Sequence, residues 1–174
     1  MYTICSRLFQ GASMNDSPLA FFVTWTVYGT FLQGDGRGWC KYRKGERPPQ
    51  PKLVEWQKSR LNYPVIRLHS NWQRIVEATI VKHCEIRNWH LWAKNCRTNH
   101  VHAVVTARGY DGATVLDQFK AYATRALRRD SEVFSGRPVW TEYGDWDCLY
   151  TEDELEAAVL YVTEVQDRMH LPKH

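Results

Sequence analysis

WHLWAKNCRTNHVHAVVTA, residues 89–107, is the stretch that decides the fold. Residues 89–94 and 100–107 have the aromatic and β-branched composition of strands, and residues 97–99 form a tight connection between them. Two strands separated by so few residues form an antiparallel hairpin. The hairpin is therefore the first element of a predicted antiparallel sheet.

Outward from this hairpin, the chain predicts two more strands and three helices. The strands are rich in aromatic and β-branched residues and are predicted over 19–28 (LAFFVTWTVY) and within 138–149. The helices have apolar residues at helical spacing and are predicted over 70–87, 111–129 and 152–168. Thr151 and Glu154 form a capping box at the start of the last helix. This order predicts a ferredoxin-like α+β domain, with one antiparallel sheet, helices on one face and an appended C-terminal helix.

Residues 29–60 are predicted to be a basic loop, because glycine and proline recur throughout 29–52 and cations outnumber acidic residues there. A loop of this length in a compact domain is typically functional or disordered. Residues 1–18 are interpreted as a flexible leader because their composition is mixed and polar. Residues 19–174 are interpreted as a single domain, because a chain of this length usually forms one domain.

The composition is typical of a globular protein, with 44% hydrophobic and 24% charged residues. A net charge of +4 permits an anionic partner without requiring one. Five cysteines with no Cys-x-x-Cys spacing argue against a zinc ribbon and against a disulfide framework. The sequence contains neither an apolar run of membrane-spanning length nor the apolar run of a signal peptide, so a cytoplasmic protein with no membrane partner is expected.

His100 and His102 are the candidate metal ligands. Because side chains alternate along a strand, both imidazoles point to one face, with Cβ atoms roughly 6–7 Å apart at a rise of ~3.3 Å per residue. Two imidazoles at that spacing can converge on one cation, although imidazole alone does not select the metal. A pair of hydrogen-bonded histidines without a metal is the alternative that this spacing leaves open.

Tyr161 is the candidate nucleophile, in the middle of the helix EDELEAAVLYVTEVQDR. Glu164 lies one helical turn after it and Gln166 lies five residues after it, so either side chain is a candidate to complete a metal site beside the phenol. The alternative is that Tyr161 is an ordinary packing residue of an amphipathic helix.

These residues together resemble the single-tyrosine HUH transposases, in particular the REP-associated tyrosine transposases. The His-hydrophobic-His motif is matched by residues 100–102, and Asn99 precedes it as in many members. Three further segments are similar, in the order YGTFLQGDGRGW (28–39), FKAYATRALRR (119–129) and VWTEYGDWDCLYTEDELEAAVLYV (139–162). The resemblance extends over about 19–168, nearly the whole chain.

This resemblance implies a metal-dependent single-stranded DNA endonuclease and strand transferase that acts on hairpin DNA through a 5′-phosphotyrosine intermediate. Tyr161 would be the nucleophile, and His100 and His102 would bind Mg²⁺ or Mn²⁺. Members often carry the third ligand, Asn or Gln, four residues after the tyrosine, where this chain has Val165. Gln166 or Glu164 is therefore the candidate third ligand.

The implied partner is single-stranded or hairpin DNA, bound by a monomer or a homodimer in the cytoplasm at the nucleoid. Stacking of unpaired bases is a candidate role for tryptophans such as Trp39, Trp140 and Trp146. Eight cations are the candidate phosphate contacts: Arg37, Lys41, Arg43, Lys44, Lys120, Arg125, Arg128 and Arg129.

Three other functions remain open at this point. An HUH replication initiator or relaxase shares the histidine pair and the tyrosine but usually carries helicase or primase domains. A non-catalytic hairpin-binding relative is favoured by Val165, which cannot bind metal. A metal-dependent hydrolase unrelated to DNA would not need Tyr161, and the basic segments argue against it.

Overall fold

The fold is built on a four-stranded antiparallel sheet, and a computed structural model describes it over residues 17–36, 39–41 and 45–165. A three-residue 3₁₀ turn, Glu132–Phe134, follows the third helix, and a π-helical turn, Tyr161–Val165 (the π turn), continues the fourth. In chain order the other elements are β1 (Ala20–Val27), β2 (Trp39–Lys41), β3 (Gly45–Arg47), α1 (Pro51–Ser59), α2 (Ser70–Arg87), β4 (His90–Cys96), β5 (His100–Thr106), α3 (Gly112–Asp130), β6 (Trp140–Leu149) and α4 (Glu152–Leu160).

The sheet has the strand order β4-β5-β1-β6, with every neighbouring pair antiparallel. β1 and β4 are therefore parallel and flank β5, and α2 connects them, which is the split βαβ arrangement. α3 makes the second connection, from β5 to β6 at the other edge. The predicted ferredoxin-like α+β fold and the β4–β5 hairpin are confirmed.

The two faces of the sheet are covered by different helices. α2 and α3 pack on one face, where Val23, Trp25, Val101 and Ala103 point into the main core. α4 and the π turn cover the other face, over a smaller apolar cluster that contains Phe22 and five other buried residues. As predicted, two helices cover one face of the sheet and a C-terminal helix is appended. The appended helix, α4, covers the face that α2 and α3 leave open.

The prediction of a loop over 29–60 is wrong in part, because this segment contains β2, β3 and α1. Pro51 suits the first position of α1, since a helix needs no hydrogen bond from that N–H and proline fixes φ at a helical value. Gly34 adopts a φ of +92°, and its carbonyl accepts a hydrogen bond from Gln50 N at 2.9 Å. The glycines and prolines that predicted a loop thus turn the chain and begin a helix.

The start of α4 confirms the predicted capping box. Thr151 Oγ1 accepts from the Glu154 backbone N–H at 3.2 Å, and Glu154 Oε2 accepts from Thr151 N at 3.2 Å. The acidic first turn also suits the positive end of the helix. The predicted leader, 1–18, lies outside the described residues except for its last two. Among the described residues, the helices are too short or too polar to cross a membrane.

Candidate active site

His100 and His102 lie side by side on β5, one of the two central strands of the sheet. Their ring centroids are 4.8 Å apart and their planes are inclined by 71°. The rings lie on the face covered by α4, since Phe22 of that face stacks on His102 with centroids 5.5 Å apart. The predicted same-face geometry of the pair is confirmed, and its use as a metal site remains a prediction.

Each imidazole is oriented by a hydrogen bond through its Nδ1 atom. Asn99 Oδ1 accepts from His100 Nδ1 at 2.8 Å, and Thr24 Oγ1 is 2.6 Å from His102 Nδ1. Thr24 lies on β1 directly opposite His102 in the sheet register. A ring held through Nδ1 presents Nε2 for ligation, and such outer partners fix the orientation of metal-binding histidines.

Burial keeps His102 uncharged. Its side chain is 7% exposed, and burial, followed by the positive charges of His100 and Arg97, lowers the pKa of His102 to about 3. Only a neutral imidazole has a lone pair to give to a metal. Two adjacent imidazoles, one of them held neutral by burial, therefore suit a divalent transition-metal ion such as Mn²⁺. Oxygen ligands would fill the remaining coordination positions of the ion.

The structure brings Tyr161 to the histidine pair. The ring of Tyr161 is half-buried, with its centroid 5.7 Å from that of His102 at an interplanar angle of 80°. Phe22 packs edge-on against the same phenol at 6.0 Å and so forms an apolar wall between the tyrosine and β1. A phenol and two imidazoles thus meet on one face within a single chain.

The tyrosine begins the π turn, and this changes which later residues share its side of the helix. In a π turn, hydrogen bonding from i to i+5 makes the fifth residue after a given one, rather than the fourth, its neighbour on the same side. The fifth residue after Tyr161 is Gln166, which lies outside the described residues. Glu164 is exposed. Within 17–36, 39–41 and 45–165, no three His, Cys, Asp or Glu side chains gather as a metal site.

Asn95 ties the π turn to the sheet. It lies on β4 directly opposite His102, and its Nδ2 donates to the Val162 carbonyl at 3.0 Å. Val162 itself is fully buried in the smaller apolar cluster. One polar and one apolar contact therefore fix the residue next to Tyr161 against the strands that hold the histidines.

For the DNA cleavage that the sequence predicts, Asn95→Leu is expected to lower the rate while leaving DNA affinity unchanged. The substitution keeps the branching of the side chain but removes the donor to the Val162 carbonyl, so the position of Tyr161 relative to His102 is no longer fixed by this hydrogen bond. Small misplacements of reacting groups cost about 10- to 100-fold in rate. Single-turnover cleavage and oligonucleotide Kd, measured in parallel, check this prediction. Thr163→Ala is the matched control, since Thr163 Oγ1 donates only to Val159 O of its own helix in the contacts described; equal losses in both variants would contradict it.

Asp147 carries a carboxyl with a raised pKa, on the same face of the sheet as the histidine pair. It lies on β6 opposite Phe22, and burial, with a further contribution from the Asp145 charge, raises the pKa of Asp147 to about 6. A carboxyl whose pKa is higher in the folded than in the unfolded protein lowers the free energy of unfolding as the pH rises from about 4 to about 6.

Asp147→Asn is therefore expected to stabilise the protein at pH 7 by about 1–2 kcal/mol, after allowance for the solvent that still screens a half-buried group. The gain should fall to near zero only at about pH 3, below the ordinary pKa of 3.8, because the wild-type carboxyl is then mostly protonated in both states. Urea unfolding at both pH values measures it. Glu142→Gln, at an exposed carboxylate of the same strand, is the control; a gain that persists unchanged at about pH 3, below both pKa values of Asp147, would show that ionisation is not its cause.

The predicted phosphate contacts of α3 do not lie beside the histidine pair, because α3 packs on the opposite face of the sheet. Lys120 Nζ donates to the Thr141 and Glu142 carbonyls, both at 2.9 Å, and burial lowers the pKa of Lys120. Arg128 and Arg125 also make contacts within the protein: Arg128 donates to the Phe134 and Arg137 carbonyls, and Arg125 stacks over Tyr122.

The structure gives less information on the other predicted phosphate contacts, and it places two of the three tryptophans predicted to stack on bases. Arg129 is exposed on α3. Arg37, Arg43 and Lys44 lie outside the described residues, as does the side chain of Lys41. Trp140 is wrong as a base-stacking candidate, because it is buried in the main core and its Nε1 donates to the Lys120 carbonyl. The side chain of Trp39 is not described, and Trp146 is partly exposed.

Three residues of the site were missed by sequence reasoning: Phe22, Thr24 and Asn95. Phe22 and Thr24 lie in the strand predicted over 19–28, where alternation places them on one face and Val23 and Trp25 on the other. Thr24 is a polar residue in a largely apolar strand, and that signal could have identified it. Asn95 carries no comparable signal, because only the register between β4 and β5 places it opposite His102.

Comparison with known proteins supports the fold. No protein-family model matches the chain, and no curated protein matches it. Among solved structures the chain is similar to a REP-associated tyrosine transposase bound to a REP hairpin, with 10% identity, a TM-score of 0.51, and coverage of 94% of this chain and 75% of that one. It is also similar to a putative transposase from Deinococcus radiodurans, with 8% identity, a TM-score of 0.45, and coverage of 92% and 95%. The first likeness shows that the chain shares the fold of that REP-associated transposase.

Proposed function

We propose that the protein is a transposase-like enzyme: a metal-dependent single-stranded DNA endonuclease and strand transferase that acts on hairpin DNA through a 5′-phosphotyrosine intermediate. The observation that carries this proposal is the position of Tyr161. Its ring centroid lies 5.7 Å from that of His102, on the face of the sheet where His100 and His102 are neighbours. The fold shared with a REP-associated transposase agrees with it.

The chemistry follows from the groups that meet at this site. The Tyr161 oxygen attacks phosphorus in line, an O–P bond to the tyrosine forms, and the bond from phosphorus to the 3′ oxygen of the upstream strand breaks. The phenol proton is lost to solvent, and the leaving 3′ oxygen takes up a proton to become a hydroxyl. A second 3′ hydroxyl can then attack the phosphotyrosine and rejoin the strands without ATP, because the covalent intermediate retains the phosphodiester.

His100 and His102 are the proposed ligands of a divalent metal, Mg²⁺ or Mn²⁺. When bound, such a metal polarises the scissile phosphate and offsets the charge that develops in the transition state. The residues of this chain contribute the orientation: Thr24 and Asn99 hold the two rings, and burial keeps His102 neutral. Phe22 excludes water from one side of the phenol.

Gln166 is the proposed third ligand, and Glu164 is the alternative. The π turn supports Gln166, because residues five apart, rather than four apart, share one side of a turn with i to i+5 hydrogen bonds. Val165 in the usual ligand position therefore does not require an inactive protein. A π turn at this place agrees with the frequent occurrence of such turns at functional sites.

A labelled hairpin oligonucleotide tests the proposal. The protein is incubated with single-stranded hairpins labelled at the 5′ or the 3′ end, with Mg²⁺, Mn²⁺ or a chelator, and separated under denaturing conditions. A 5′-phosphotyrosine predicts that the 3′-end label moves with the protein and that the 5′-end label does not. The chelator should abolish the movement of the 3′-end label with the protein. Tight hairpin binding without any adduct would instead identify a non-catalytic hairpin-binding protein.

A further inference from the structure

The exposed side of α1 differs in chemistry from the rest of the surface. Lys52, Trp56 and Arg60 follow one another at intervals of four residues, so they form one stripe along the helix, called the α1 stripe. Trp56 is 54% exposed, and both cations are exposed as well. Arg60 stacks over the indole with its guanidinium carbon 4.7 Å from the ring centroid. The stripe is therefore an aromatic surface between two positive charges.

Charge is concentrated around the stripe. Over residues 50–69 the chain has four cations, Lys52, Lys58, Arg60 and Arg67, and one acidic residue, Glu55, and all five are exposed. Three other exposed aromatic residues have an acidic neighbour in the sequence, as Trp56 has in Glu55, but they lack the cations that lie four residues before and after Trp56. Tyr143 follows Glu142, Trp146 lies between Asp145 and Asp147, and Tyr110 precedes Asp111.

The stripe is attached to the end of the sheet where the histidine pair lies. α1 is joined to the segment after β1 by hydrogen bonds from Gln50 N to Gly34 O and from Gln33 N to Gln57 Oε1. That segment is joined in turn to the residue before His100, since Thr30 Oγ1 donates to the Asn99 carbonyl at 3.0 Å. These hydrogen bonds connect α1, through the segment after β1, to the end of the sheet at which His100 begins β5.

We propose that the α1 stripe binds unpaired nucleotides, with a base stacked on Trp56 and the flanking phosphates at Lys52 and Arg60. This inference rests on the proposed function, for which it names the surface that holds the single strand beside the site. Aromatic rings with flanking cations suit single strands, because unpaired bases expose their faces and the phosphates carry the charge. A duplex hides its base faces, so it gains only the electrostatic part.

The test measures binding of a labelled oligothymidylate and of a blunt duplex by fluorescence anisotropy, in the presence of a chelator so that cleavage plays no part. Trp56→Ala is expected to weaken oligothymidylate binding about tenfold, the loss of one stacked base, and to leave duplex binding unchanged. Trp56→Phe should retain most of the affinity. Lys52→Gln and Arg60→Gln should each lower the slope of log Kd against log salt by about 0.7, the value for one phosphate of a single strand.

Trp92→Ala is the matched control, since Trp92 is exposed to a similar degree on β4 and lies outside the stripe. Oligothymidylate affinity that is unchanged in Trp56→Ala, or equally reduced in Trp92→Ala, overturns the inference. Equal losses for duplex and single strand overturn it too. Wild-type protein that binds through Trp56 but forms no adduct would keep the inference and reject catalysis, whereas adduct formation with binding independent of Trp56 would reject the inference alone.

Discussion

Tyr161→Phe is expected to abolish the covalent protein–DNA adduct while leaving hairpin binding intact. The substitution removes only the phenolic oxygen, and the ring keeps its packing against Phe22 and its position 5.7 Å from the ring of His102. Loss of the nucleophile of a covalent mechanism typically lowers the rate by at least about 10³-fold. Single-turnover cleavage and Kd measured on the same hairpin separate the loss of chemistry from any loss of binding.

Tyr143→Phe is the control for this prediction, because Tyr143 on β6 is 78% exposed and distant in sequence from the π turn. It should cleave at the wild-type rate. Cleavage that continues in Tyr161→Phe would mean that water or another side chain attacks the phosphate, and the account of the site would then be wrong.

His102→Gln is expected to lower Mn²⁺ affinity and to reduce adduct formation by about 100-fold or more, the effect of removing one group that stabilises transition-state charge. Glutamine approximates the imidazole volume in a position that is 7% exposed, and its amide can keep a hydrogen bond with Thr24 Oγ1. An amide oxygen is a weaker ligand than imidazole nitrogen for a transition metal. Calorimetry with Mn²⁺ measures affinity, and circular dichroism shows whether the fold is kept.

His90→Gln is the control for the metal prediction, since His90 is exposed on β4 and packs against Trp92. Excess Mn²⁺ should restore part of the activity of His102→Gln, because a weakened site still fills at high concentration. Unchanged Mn²⁺ affinity in a folded His102→Gln protein would show that His102 is a structural histidine, which is the alternative that the sequence left open.

Much of the fold was predictable because local signals and the global architecture agree. The strand over 19–28, the hairpin after residue 89 and the capping box of Thr151 and Glu154 each follow from side-chain period, composition or hydrogen-bonding chemistry. The common face of His100 and His102 followed from strand alternation alone. These features depend on residues that are near one another in the chain.

The features that sequence reasoning missed depend on distant contacts or on unusual backbone geometry. The π turn is not visible in the apolar spacing of α4, and the contact that accompanies it, from Asn95 Nδ2 to the Val162 carbonyl, joins residues far apart in the sequence. The density of glycine and proline around Pro51 predicts a loop and hides α1, although proline also suits the first residue of a helix. The role of Lys120 as a donor to β6 carbonyls required the packing of α3 to be known.

The two faces of the sheet carry different groups. α2 and α3 bury the larger core on one face, where His83 is enclosed by Trp89, Phe119 and Tyr122 and where burial lowers the pKa of His83. The other face carries the smaller apolar cluster and the candidate site. Substitution of the buried apolar residues on the α3 face should therefore cost more stability than substitution of His100, His102 or Tyr161 on the α4 face.

Mass spectrometry of the protein–DNA adduct tests the central claim most directly. Wild-type protein is trapped with a hairpin oligonucleotide and Mn²⁺, the DNA is digested to a short remnant, and the protein is cleaved into peptides for fragmentation. The account predicts one modified peptide, with the 5′-phosphate of the remnant attached to Tyr161. A remnant on any other residue, or cleavage products without a covalent peptide, would contradict it.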